Sequence, residues 1–145
     1  MGAKVMHTIL VVDDEEIDRE EMRRLLQGEG YTVVEADTYQ AAITAFEANR
    51  YSIGLLVSDV SIPGGNGCDI AIALRKQKPD LRVLFVSGHV GAEICKYYGF
   101  EVSDEHFLRK PFAPKELLSR VTQVLNSART SPQLGTSPPK ASTAS

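Results

Sequence analysis

The sequence predicts an α/β domain with a doubly wound (βα)5 architecture, a parallel five-stranded sheet between two layers of helices. Five short apolar or β-branched segments recur along the chain, and five stretches of helical spacing alternate with them. Three of the segments, Thr8 to Val12, Leu55 to Val57 and Val83 to Val86, are continuous β-branched or apolar runs. Strands covered on both faces of a parallel sheet read in this way, and right-handed crossovers between them put helices on both sides.

Taken in order, Thr8 to Val12 is the first strand, and the helix from Glu16 to Glu29 sets Met22, Leu25 and Leu26 on one face. Thr32 to Ala36 is a more mixed strand suited to a sheet edge, and the helix from Thr38 to Ala48 carries Ala42, Ala45 and Phe46. Leu55 to Val57 precedes a helix from Cys68 to Gln77 with Ile70, Ala71 and Leu74 inward, and Val83 to Val86 precedes a short helix from Ala92 to Tyr98. His106 to Leu108 is the second mixed, edge-like strand. The last helix opens at Pro114, whose missing amide proton costs nothing at a first position, and turns Leu117, Leu118, Val121, Val124 and Leu125 inward.

At 145 residues the chain is long enough for one domain with a core that needs no disulfide or metal staple. The domain is expected over residues 1–127. From 128 to 145 the composition turns to Ser, Thr and Pro, which cannot bury enough surface to offset ordering entropy, so a disordered tail with no output domain is expected there. The balance of 16 basic against 19 acidic residues gives no field for nucleic acid or an anionic membrane, and no dense Lys/Arg cluster supplies one locally. Apolar runs are too short to span a bilayer, and Ile9 to Val12 runs straight into four acids, so neither secretion nor membrane insertion is expected. Cys68 and Cys95 are far apart, with no C-x-x-C pair, which reads as free thiols in a reducing cytoplasm.

Ligands of open parallel sheets gather beyond the carboxyl ends of the strands. Those ends carry Asp13 and Asp14, then Ser58 and Asp59, then Ser87 and Gly88, and finally Lys110 and Pro111. Three carboxylates, a hydroxyl and an ammonium are thus expected on one rim. Clustered carboxylates repel unless a cation joins them, and an all-oxygen set without His or Cys suits a hard ion, Mg2+ best. Beside such an ion and a lysine, a carboxylate can attack a phosphoryl group to form an aspartyl phosphate. Taken singly, an acidic pair reads as a helix cap, Ser87-Gly88 as a turn and Lys110 as a surface lysine; the chemistry rests on their occurring together at four strand ends. Gly65-Asn66-Gly67 lacks the remaining residues of a dinucleotide or P-loop fingerprint and reads as turn chemistry.

The segments Leu10-Val11-Val12-Asp13-Asp14-Glu15, Asp59 with Pro63 and Gly67 following, Val86-Ser87-Gly88-His89 and Phe107-Leu108-Arg109-Lys110-Pro111-Phe112 together resemble the receiver domain of two-component response regulators, over roughly residues 6 to 126. The resemblance implies a flavodoxin-like sheet of order 2-1-3-4-5. It implies Asp59 as phosphoacceptor and Mg2+ held by Asp13, Asp14, Asp59 and the backbone carbonyl of Ser61. Lys110 and Ser87 would contact the phosphoryl oxygens, and Ser87 and Phe107 would form the switch; Phe107 alone also reads as an ordinary core aromatic. It further implies a cis Lys110-Pro111 bond, and Ser61 and His89 as positions that tune acyl-phosphate lifetime.

The implied partners are a histidine kinase or histidine phosphotransfer protein and a downstream protein target, with a homodimer through the face of the fourth helix, fifth strand and fifth helix. The chain departs from the pattern between Gly91 and Glu105, where Lys96-Tyr97-Tyr98-Gly99-Phe100 replaces the usual alanine-rich helix and Gly-Ala-Asp turn. A self-phosphorylating acceptor with slow autodephosphorylation, rather than an enzyme, is the expectation. The alternatives are a receiver module of a hybrid kinase, a phosphorylation-independent scaffold, and a Mg2+-dependent phosphohydrolase. The last is disfavoured by the absence of a cap insertion and of an Asp-x-Asp motif.

Overall fold

The computed structural model describes residues 7–88 and 106–127. Within them β1 (Thr8–Val12), β2 (Thr32–Ala36), β3 (Ile53–Asp59), β6 (Arg82–Ser87) and β7 (Phe107–Arg109) form one sheet of order β2-β1-β3-β6-β7, every neighbouring pair parallel. This is the expected 2-1-3-4-5 order, interrupted in chain numbering by a small antiparallel hairpin, β4 (Ser61–Ile62) with β5 (Gly65–Asn66). The helices are α1 (Glu16–Gly28), α2 (Tyr39–Ala48), α3 (Gly67–Gln77) and the C-terminal helix (Pro114–Asn126). The expected helix from Ala92 to Tyr98, Cys95, His89 and the 128–145 segment lie outside the described residues.

Strand alternation divides the core in two. Leu10, Val12, Leu56, Val83 and Phe85 face α2 and α3 and pack with Ala42, Phe46, Ile70, Ala71 and Leu74. Ile9, Val11, Leu55, Val57, Leu84 and Val86 face the opposite way, toward Met22 and Leu26 of α1 and Leu117, Val121 and Val124 of the C-terminal helix. The central strands therefore bury both sets of side chains, which is why they read as continuous apolar runs. Leu25, Ala45 and Leu118, expected inward, are only partly buried at the margins of these clusters.

Several helix starts are fixed by single side chains. Thr38 Oγ1 accepts from the Ala41 amide at 3.0 Å, and Asn66 Oδ1 accepts from the Asp69 amide at 2.8 Å, each satisfying a donor that the first helical turn leaves unpaired. Pro114 opens the C-terminal helix, where the Glu116 carboxylate accepts from the Ala113 amide at 2.7 Å. The hairpin turns through Gly64 at φ +88°, a left-handed conformation that favours glycine. These devices fix the connections that leave the carboxyl ends of β2, β3 and β7.

Candidate functional site

Four strand ends supply the site. β1 runs out into Asp13 and Asp14, β3 ends in Asp59, β6 ends in Ser87, and Lys110 follows β7. Asp13, Asp14 and Asp59 each present a carboxylate oxygen within 4.8 Å of the others, with Asp13 fully buried and Asp14 exposed. The Lys110 ammonium closes the cluster, donating to Asp13 Oδ2 at 2.7 Å and to Asp59 Oδ2 at 2.8 Å. Lys110 is joined to Pro111 by a cis peptide bond, as the resemblance implied.

Asp13 and Asp59 are each aimed by the backbone beneath them. The second oxygen of Asp13 accepts from the Glu15 amide at 2.9 Å, and that of Asp59 accepts from the Ser61 amide at 3.1 Å. Ser61 itself is exposed on β4, two residues beyond Asp59. The chain below Asp59 is crowded: the Ser58 hydroxyl donates to the Asp59 carbonyl at 2.8 Å, and the Gly67 amide donates to the Val60 carbonyl at 2.8 Å. A Cβ at Gly67 would collide with the Asp59 carbonyl oxygen and lie 2.9 Å from Ser58 Oγ, so only glycine fits there. This close approach, rather than turn conformation alone, accounts for that glycine.

Electrostatics follow from the burial. Removal from water pushes the Asp13 carboxyl above its ordinary range, against the lowering pull of Lys110 and of the Glu15 amide, while the neighbouring Asp59 charge adds to the rise. Burial works against the Lys110 ammonium, yet its hydrogen bonds to Asp13 and Asp59 outweigh that and hold its pKa above the usual value. Carboxylates so arranged compete for one counter-charge. An additional cation with oxygen preference relieves that competition, and the donor set, oxygen only and within one ion's reach, fits it.

Ser87 and Phe107 sit where the sequence places them. Ser87 is buried, and its carbonyl accepts from the Lys110 amide at 2.8 Å; its hydroxyl makes no hydrogen bond among the described residues. Phe107 is half-buried against the α2/α3 side of the core, and its carbonyl accepts from Arg120 at 2.8 Å. Two participants escape the sequence reading. Asp18, in the first turn of α1, accepts a third hydrogen bond from Lys110 at 3.0 Å, and Arg19 donates to the Asp13 carbonyl at 2.9 Å while pairing with Glu35 at 3.0 Å. No sequence signal marks either: Asp14 precedes α1, so its spacing to Asp18 is not a helical turn, and Arg19 is one of several basic residues along that helix.

A buried carboxylate, a second carboxylate aimed by its own backbone and a lysine spanning both, at the carboxyl rim of a doubly wound sheet, define a class of α/β domain able to hold a hard cation beside a nucleophilic acid. The chain belongs to the response regulator receiver domain family, whose model matches residues 9–122. It is a receiver domain of two-component signalling, a phosphoacceptor module of the kind that interacts with histidine kinases or phosphotransfer proteins.

Among relatives, it is 33% identical over 118 residues to the aerobic respiration control protein ArcA of Escherichia coli, covering 81% of this chain and 48% of ArcA. It is 35% identical over 118 residues to the sensor kinase CckA of Brucella abortus, covering 81% of this chain and 12% of CckA. The chain thus spans about half the length of ArcA and a small part of CckA. The solved receiver domain of HemR from Leptospira biflexa superposes with a TM-score of 0.72 at 34% identity, over 85% of this chain and 97% of that one. No helix among the described residues is long and apolar enough to cross a membrane.

Proposed function

We propose that Asp59 accepts a phosphoryl group from a phosphohistidine, and that Asp13, Asp14 and Asp59 with the backbone carbonyl of Ser61 hold Mg2+. The observation that carries the reading is the Lys110 ammonium lying between the Asp13 and Asp59 carboxylates, 2.7 and 2.8 Å away, with Asp14 completing the acidic rim. An Asp59 oxygen forms the new P–O bond as the P–N bond of the donor breaks, and the departing imidazole nitrogen takes up a proton. When bound, Mg2+ neutralises charge on the equatorial phosphoryl oxygens. Lys110 donates to those oxygens, and the Ser87 hydroxyl, unbonded among the described residues, turns toward them.

With Ser87 drawn inward, the Phe107 ring moves into the space it leaves, changing the face that a downstream protein or a second copy reads. Ser61 and His89 tune the lifetime of the acyl phosphate. On this reading the working module is residues 1–127, and it acts in the cytoplasm as a slowly autodephosphorylating acceptor rather than an enzyme. A second reading, the receiver module of a hybrid histidine kinase, is favoured by the 35% identity to part of a sensor kinase.

Intact mass after incubation with acetyl phosphate and Mg2+ tests the proposal. A gain of one phosphoryl group, lost with EDTA and in Asp59→Asn, is expected. Continuous phosphate release without an accumulating adduct would point to a phosphohydrolase instead. Absence of both an adduct and beryllofluoride binding would leave only a phosphorylation-independent scaffold.

A further inference from the structure

An ammonium has three protons and no acceptor capacity. In this structure all three Lys110 protons have carboxylate partners: Asp13 at 2.7 Å, Asp59 at 2.8 Å and Asp18 at 3.0 Å. The three acids are not equivalent. Asp13 is fully buried and fixed by the Glu15 amide, and Asp59 is held by the Ser61 amide, whereas the Asp18 side chain is 43% exposed and accepts no other hydrogen bond among the described residues. Asp18 also lines, with Glu21, Lys110, Pro111 and Phe112, a cavity of about 300 Å3 on the α1 side of the lysine, where a released carboxylate is readily rehydrated.

We infer that Asp18 is a positioning residue that competes with the phosphoryl group for Lys110, so that its charge weakens capture of the phosphoryl group at Asp59. The inference rests on the phosphoacceptor reading given above. Lys110 stays in place without Asp18, because Asp13 and Asp59 still accept from its ammonium and Ser87 still accepts from its amide. What changes is the field: one negative charge fewer stands beside a group that arrives with two. Loss of Asp18 therefore favours the phosphoryl anion while reducing the attraction for a cation. A residue that merely supported the fold would weaken both together.

The test compares wild type, Asp18→Asn and Asp18→Glu as the full chain. Mg2+ affinity is titrated first, and beryllofluoride affinity is then titrated at saturating Mg2+. In Asp18→Asn, beryllofluoride binding is expected to tighten about two- to fivefold, the range of a half-exposed ion pair, with Mg2+ binding unchanged or weaker. Asp18→Glu, which keeps the charge, should return both toward wild type. In metal-free protein, proton exchange of the Lys110 ammonium, followed by nitrogen-15 correlation spectra, should quicken in Asp18→Asn. Wild type that binds beryllofluoride while Asp18→Asn binds it equally or more weakly would overturn the competition. Wild type that binds neither Mg2+ nor beryllofluoride would overturn the phosphoacceptor reading and this inference with it.

Discussion

Replacing Gly67 with alanine adds one methyl group at the most crowded point beneath the site. The new Cβ would meet the Asp59 carbonyl oxygen in direct collision, Ser58 Oγ at 2.9 Å and the Asp59 carbonyl carbon at 3.2 Å. Two of these three atoms are backbone, so no rotamer change relieves the clash; β3 and α3 must separate, or the Ser58 hydroxyl must leave the carbonyl to which it donates at 2.8 Å. Overpacking of this kind costs about 1–3 kcal/mol. Equilibrium urea unfolding at 25 °C should therefore show Gly67→Ala destabilised by about that amount, and a Mg2+ titration should show weaker binding because Asp59 moves with its backbone. Gly28→Ala is the control: Gly28 ends α1 with nothing within 4 Å of an added Cβ, and the substitution should stabilise by about 0.4–1 kcal/mol. A Gly67→Ala protein as stable as wild type, with intact Mg2+ binding, would refute the argument from close approach.

Three further outcomes follow from single contacts. Thr38→Ala removes the oxygen that accepts from the Ala41 amide and should cost about 1 kcal/mol in the same unfolding assay, with the site unaffected. Arg19→Met removes the donor to the Asp13 carbonyl and should weaken Mg2+ binding about tenfold in a calorimetric titration; unchanged affinity would show that Asp13 needs no such support. Burial, and then the Arg82 and Lys78 charges, hold His7 below its ordinary pKa, so the unfolded chain binds more protons as pH falls through 6.5. Wild type should lose stability relative to His7→Gln between pH 7.5 and pH 5.5, read as the difference in urea midpoint; parallel profiles would exclude His7 as the source.

How much of this was legible in the sequence depended on which force sets each feature. β1 and β2 have the bounds read from their residues because hydrophobic patterning alone decides them. β3 runs from Ile53 to Asp59, well beyond the Leu55 to Val57 run, because its ladder to β1 resumes across a register irregularity at Gly54 and its ladders to β1 and β6 include Ser58, neither of which an apolar pattern marks. The β4–β5 hairpin reads only as turn chemistry. Its pairing of Ser61 with Asn66 is local, but strands of two residues carry no hydrophobic pattern, and the same Asn66 caps α3. Asp13, Asp14, Asp59 and Lys110 were legible as a set because strand ends in this topology share one rim. Asp18 and Arg19 were not, since nothing in a run of acids and bases along α1 distinguishes the two that bend back to the site from those facing solvent.

The short edge strand β7 joins the site to the far face of the domain. It has three residues and, among the described residues, one neighbour, pairing Phe107 with Phe85 and Arg109 with Ser87, and the Lys110 amide then donates to the Ser87 carbonyl at 2.8 Å. At its other end the Phe107 carbonyl accepts from Arg120 of the C-terminal helix at 2.8 Å. Ser87 and Lys110 are thus coupled through their backbones before any phosphoryl group draws on their side chains. Shifting a two-state face from 1:99 to 99:1 requires about 5.5 kcal/mol of differential stabilisation. On the proposed reading the Ser87 hydroxyl gains a charge-assisted contact worth about 1.5–3 kcal/mol, whereas Lys110 exchanges carboxylate partners for phosphoryl oxygens. The new Ser87 contact therefore supplies a part of the full shift. A strand tied to the sheet on one side only yields at less cost than a central one, so the pull at the rim is delivered to Phe107 and the C-terminal helix rather than absorbed in β1 or β3.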